Sequence, residues 1–325
     1  MNYELLCLLI ILLVSSVGML LFDVAAAGVL WLVFKCSFRR CFLWGLWLLI
    51  LPPLLFLYGR WIERNGFQVK SVEVSSAFLP ASFEGYRVVQ ISDLHLLSFQ
   101  GRERALRSMV EKINSLNADI ICFTGDLVTL SPKELEGFTE ILSSLHARDG
   151  VFSVMGNHDY MMYVGKNEGL RNVSKDIVCL QQAERAMGWH LLLDEHYMLY
   201  RGSDSIAVVG VENISASKHF PSKGNLSAAL AGTEGCYRLL LSHDPTHWDK
   251  EVVGKTDIPL TLSGHTHAMQ LSLLGWCPSK YVYPHYKGLY THNGQSLYVN
   301  IGLGETLIPA RIGARPEITL LTLNR

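Results

Sequence analysis

Nine residues of this chain combine the types and the spacing that metal-assisted hydrolysis needs: Asp93, His95, Asp126, Asn157, His158, Asp159, His243, His265 and His267. They occur in the order D-x-H, G-D, G-N-H-D, a single His and G-H-x-H. A lone H-x-H is more often a pair of solvated or hydrogen-bonded side chains than a metal site. Yet side chains at i and i+2 of an extended segment point to the same side, and neutral imidazole is the commonest protein metal ligand. Asp93, His95, Asp126, Asn157, His243, His265 and His267 are together more ligands than one four-coordinate ion takes. Their mixture of imidazole, carboxylate and amide oxygen suits a borderline cation, Mn²⁺ first, with Fe or Zn²⁺ as alternatives. Two cations about 3.5–4 Å apart need a shared carboxylate, and such a pair stabilises both the attacking and the leaving oxygen of a phosphoryl displacement. Asp93 and Asp126 bring two negative charges against the four positive charges of two divalent ions, so the centre attracts phosphate. His158 adds an imidazole able to give a proton to a departing oxygen or to stabilise charge on the phosphoryl group.

The elements that must position these groups are short apolar runs. Segments 86–92, 119–125 and 150–156 read as buried strands and alternate with amphipathic helices over 102–116 and 132–147, the second opened by Pro132 behind Ser131. That βαβαβ order is the signature of a parallel sheet covered by helices. Further strands are expected over 206–212, 237–243, 258–264, 296–302 and 317–323, so the fold class is α/β with two packed sheets flanked by helices. Five of these strands end in the candidate ligands, and the crevice beyond the carboxyl ends of strands is where sites form in such sheets. Gly125, Gly156 and Gly264 precede ligands, where the absence of a Cβ permits a sharp turn. Arg102, Arg104 and Arg107 read as a solvated helix face.

The chain has 325 residues and 49% hydrophobic composition, but the hydrophobicity is concentrated between Leu5 and Tyr58. Two membrane spans joined by the basic loop 35–40 fit a need for about 20 apolar residues each. The first runs to Phe34 across Asp23, which is expected at an interfacial helix end. The second covers 41–58 and carries Pro52 and Pro53. Residues 1–66 are thus a membrane anchor and 67–325 a catalytic domain. Lys35, Arg39 and Arg40 in the loop nearly balance Arg60, Arg64 and Lys70 beyond the second span, so charge alone does not orient the hairpin. The formal net charge is −1, and a polynucleotide partner, which calls for a clustered basic excess, is disfavoured. Seven cysteines show no zinc-finger or redox spacing. The segment 276–290 interleaves Trp276, Tyr281, Tyr283, Tyr286 and Tyr290 with Lys280, His285 and Lys287, a composition that suits strand and loop packing or a membrane interface.

On these motifs the chain resembles the calcineurin-like metallophosphoesterase family over about residues 85–323. The resemblance implies a four-layer αββα sandwich, with Asp93, His95 and His267 on one metal, Asp126 bridging, and Asn157, His243 and His265 on the other. It makes His158 a catalytic histidine beside the phosphate and Asp159 the residue that orients it. The tail of the last motif departs from the pattern, since Ala268-Met269-Gln270 stands where many relatives have two glycines before the glutamine.

In layout the chain is similar to the membrane-associated bacterial branch of chlamydial type, which hydrolyses UDP-2,3-diacylglucosamine in lipid A synthesis. That implies a lipid-linked nucleotide substrate cleaved to UMP and diacylglucosamine 1-phosphate, a bilayer as partner, and a bacterial inner membrane with the catalytic domain facing the cytoplasm. A broader membrane phosphodiesterase acting on phospholipids or soluble phosphodiesters is the alternative reading, and a non-catalytic metal-bearing membrane scaffold is a weaker one.

Overall fold

A computed structural model describes residues 3–163 and 172–325. The apolar N-terminal region forms α1 (Tyr3–Phe34), then α2 (Phe38–Gly45), a 3-10 turn and α3 (Leu51–Trp61). Two stretches are long and apolar enough to cross a membrane, Leu9–Phe34 and Phe38–Asn65. The second span starts earlier and ends later than its uncharged core suggests. Pro52 and Pro53 lie in the first turn of α3, where a missing N–H leaves no helical bond unmade. Asp23 does not mark a helix end. It lies within α1, buried against Gly45 of the second span.

Beyond the spans come β1 (Gln68–Ser75), β2 (Tyr86–Ile91), α4 (Glu103–Asn114), β3 (Ile120–Phe123), α5 (Thr139–Ser143), β4 (Val151–Ser153), α6 (Val173–Ala186) and β5 (His190–Leu191). They are followed by β6 (Glu195–Arg201), β7 (Asp204–Gly210), α7 (Leu226–Leu230), β8 (Tyr237–Leu241), β9 (Leu260–Ser263), β10 (Gly288–His292), β11 (Gln295–Val299) and β12 (Glu317–Asn324). One six-stranded sheet has the order β1-β12-β2-β3-β4-β5 and the other β10-β11-β9-β8-β7-β6. In each, the strands that carry the site run parallel.

The pleat sends alternate residues to opposite faces, and the apolar runs supply both faces. Val88 of β2, Val208 of β7 and Leu239 of β8 fill the space between the sheets. Their neighbours point outward: Val89 meets α4, α5 and α6, while Val209 and Leu240 meet α7 and Trp248. This is the expected four-layer αββα arrangement. Helix α4 buries Leu106, Met109, Val110 and Ile113, a spacing that puts all four on one face.

The helix expected over 132–147 divides into a 3-10 turn at Pro132–Leu135 and the short α5. Gly137, at φ 82°, lies between them, and the Glu134 carboxylate caps the turn by accepting the N–H groups of Leu130 and Ser131. Arg102 is not a free surface charge, because its guanidinium reaches Ser98 O and Asn65 Oδ1 and so ties α4 to the end of the second span.

Candidate metal centre

The parallel strands β2, β3, β4, β8 and β9 end at one edge, and the segments leaving them turn sharply. Asp93, His95, Asp126, His265 and His267 all adopt left-handed backbone, with φ of 52°, 43°, 61°, 74° and 50°. Non-glycine residues in this region are strained by about 1–3 kcal/mol each and cluster at functional sites. The close approach of the turns depends on glycine. A Cβ on Gly156 would collide with the Asp126 carboxylate, and one on Gly264 with the Asp93 carboxylate and Ser92. Ala268, Met269 and Gln270 also take left-handed φ of 50°, 47° and 56°. The glycine-like conformation is kept although the glycines are not.

These turns gather the seven candidate ligands into two adjoining groups. In the first, His267 Nε2 lies 3.1 Å from His95 Nε2 and 3.2 Å from Asp93 Oδ1. In the second, Asn157 Oδ1 lies 2.8 Å from His265 Nδ1 and 3.0 Å from His243 Nε2. Asp126 Oδ2 stands between them, 3.6 Å from His95 Nε2 and 3.2 Å from His243 Nε2. Separations near 3 Å are what two ligands at about 2.1 Å from one ion show. Hydrogen bonds on the far side of the rings aim the ligating nitrogens inward, as supporting partners of metal histidines do. His243 Nδ1–H donates to Thr124 O at 2.7 Å, and His265 Nε2 meets the Tyr283 hydroxyl at 3.1 Å. The donor set fits a pair of divalent cations.

Electrostatics agree with that fit. Burial alone would raise the Asp93 carboxyl, but the nearby His267 and His243 hold it well below the usual range. Asp126 is likewise held down against burial by His243 and His158. Burial works against a charge on His243, yet the Asp126 carboxylate lifts it to about 10. His95 is pushed well below its ordinary value by burial and by His158.

Of the two remaining residues, His158 reaches the site and Asp159 supports it by a different route from the expected one. His158 has a ring nitrogen grouped with His95 and Asp126. Its Nδ1–H donates to Thr129 O at 2.8 Å, and Tyr163 packs 4.3 Å away. The orienting partner is therefore a carbonyl, not Asp159. Asp159 is fully buried and accepts the N–H groups of Asp126, Leu127 and Gly156 at 2.8, 2.9 and 2.8 Å. It holds the turns that carry Asp126 and Asn157. Burial and the Asp126 charge raise its own carboxyl to about 7.

The calcineurin-like phosphoesterase family pattern matches residues 86–269, more than half of the chain and all nine of these residues. The chain belongs to the calcineurin-like metallophosphoesterases. It is therefore a metal-dependent phosphoesterase of a family that uses dinuclear centres. It is 32% identical over 300 residues to a transmembrane protein with metallophosphoesterase domain from Danio rerio, covering 89% of this chain and 64% of that protein. An uncharacterized metallophosphoesterase, YkuE of Bacillus subtilis, is 28% identical over 274 residues, covering 82% of this chain and 88% of the relative. The UDP-2,3-diacylglucosamine pyrophosphatase LpxG of Chlamydia trachomatis is 28% identical over 266 residues, covering 70% and 77%.

Two supports of this phosphoesterase's site, and one ion pair near the end of the second span, are not marked by its motifs. Tyr283, marked in the sequence only as part of the interleaved aromatic and basic segment 276–290, touches His265. Arg311 is fully buried; it donates to the carbonyls of Ile301 and Ala314 and lies 3.4 Å from His267 Nδ1. Arg64, just past α3, forms a buried ion pair with Glu305 at 3.1 Å. A basic residue beside an apolar segment was the only signal for the last.

Proposed function

We propose that this chain is a membrane-anchored dinuclear phosphohydrolase whose substrate is a lipid-linked phosphoric anhydride, UDP-2,3-diacylglucosamine being the specific assignment. In this reading Asp93, His95 and His267 hold one ion, Asn157, His243 and His265 the other, and Asp126 both, with Mn²⁺ as the metal. When bound, the ions supply Lewis acidity and an activated water. The protein's own part is orientation and proton supply. Asp159 fixes the turns through backbone amides, Thr129 O fixes the His158 tautomer, and His158 Nε2 faces the departing oxygen, which it protonates.

The observation that carries the lipid assignment is the physical link between the second span and the centre. The Gly59 carbonyl of α3 accepts from Arg311 N at 3.4 Å, and the Arg311 side chain lies against His267. Tethering brings nothing to a substrate free in water, whereas confining enzyme and lipid to two dimensions concentrates both. The similarity to LpxG supports the nucleotide-lipid choice. In this reading the membrane is a bacterial inner membrane and the domain faces the cytoplasm, where UDP-linked lipid is found. The test is to give the Mn²⁺-loaded full chain in detergent three substrates side by side: UDP-2,3-diacylglucosamine, a phospholipid and a chromogenic phosphodiester. Release of UMP at a kcat/KM at least tenfold above the other two is expected. Preference for the phospholipid would replace the anhydride assignment with the broader membrane phosphodiesterase.

A further inference from the structure

We propose that the hairpin Leu271–Trp276, with Leu307 and the Tyr281-Val282 pair, is a lipid-inserting edge that seats the mouth of the metal centre on the bilayer surface. The hairpin closes tightly, with Leu273 and Trp276 exchanging both backbone hydrogen bonds at 2.8 Å. Its two turn residues, Leu274 and Gly275, have φ of 48° and 83°. Two-residue turns of this kind favour Asn-Gly or Gly-Gly in water. Leucine is a poor choice on both backbone and solvation grounds, yet Leu274 is fully exposed at the tip, with relative exposure of 106%. Leu307 and Tyr281 are 70% and 71% exposed. Trp276 is exposed as well, and Lys280 lies 4.9 Å over the Tyr281 ring. Aromatics and lysine beside an apolar tip are the composition of a membrane interface.

The occupant follows from what the edge is fastened to. Ser272 N donates to Ile312 O at 2.8 Å, and the neighbouring Arg311 and Pro309 bond the last helical turn of the second span through Gly59 O and the Arg60 guanidinium. On that turn Trp61 and Ile62 are exposed too. The apolar surface of the span thus continues onto the hairpin. At the other end, Cys277 packs on Ala268, directly after His267. A lipid surface touching the tip therefore lies a few residues from the ligands.

The test needs no lipid-linked substrate, so it stands or falls apart from the proposed reaction. In the full chain with Cys7, Cys36, Cys41, Cys179 and Cys236 replaced by serine, Leu274→Cys carries an environment-sensitive fluorophore and is placed in nanodiscs of mixed anionic and zwitterionic lipid. Tyr200→Cys, at an exposed position on β6, serves as the control. Blue-shifted emission quenched by spin-labelled acyl chains at 274 and not at 200 is expected. Adding Leu274→Asp to a Tyr281→Cys-labelled chain should abolish quenching at 281, while hydrolysis of a soluble chromogenic diester is unchanged. Water-like emission without quenching at 274 overturns the proposal. So does a shift that appears in detergent and grows with protein concentration, which would make the edge an interface between two copies of the chain.

Discussion

An imidazole at a metal centre can serve as a ligand or as an acid, and the partner of its second nitrogen shows which atom is free. His158 is the case where this decides a role, because one of its ring nitrogens shares a neighbourhood with His95 and Asp126 while Nδ1 is committed to Thr129 O. His158→Asn should retain both ions and near-native stability, with kcat lower by about 10²–10⁴, the range for a lost general acid or charge stabiliser. KM should change little, since the interaction strengthens only as charge develops. The loss should shrink for a substrate with a good leaving group. Metal analysis beside steady-state kinetics checks this: a variant missing an ion would make His158 a ligand, and one with full turnover would make it a bystander.

Helix α6 presents a buried acid to the back of the site. Glu184 is fully buried, and burial together with the Asp159 charge raises its carboxyl to about 8 from an ordinary 4.5. The folded state therefore keeps a proton that the unfolded chain releases between these values, and stability falls as pH rises through that window. Glu184→Gln should be close to wild type at pH 5 and more stable by several degrees at pH 9. Parallel melting curves across that range would sink the assignment. At this scale the sequence was legible where an element is buried on both faces. The strands β2, β3, β4, β7, β8, β9, β11 and β12 are such runs, and the ligands were found because they follow β2, β3, β4, β8 and β9. β1 was not, since its exposed and half-buried residues resemble a loop until β12 pairs with it from the far end of the chain. Nor was the break between Pro132–Leu135 and α5, because a helical period survives in the residues while Glu134 spends its carboxylate on local amides. Tyr283, Arg311 and Thr129 act through contacts made only by tertiary folding, and no spacing announces such contacts.

The whole molecule places the loop between the spans and the phosphoesterase body on opposite sides of a membrane, if both spans cross it. Cys36 in that loop and Cys179 on α6 are both exposed, so they form a reciprocal pair of reporters. With the body in the cytoplasm, an impermeant thiol reagent should label Cys36 in intact cells and Cys179 only after lysis. The reverse pattern would place the body outside and remove the nucleotide-lipid substrate. Cys277 cannot report, because it is buried. The strand-end placement of the ligands has one more consequence. His95 and His267 touch across 172 residues of chain, and each is held by the apolar packing of its own strand and not by its neighbour ligand. Removing the ions should therefore abolish hydrolysis while leaving the strand scaffold folded, as melting curves and activity taken with chelator and after adding the cation back would check.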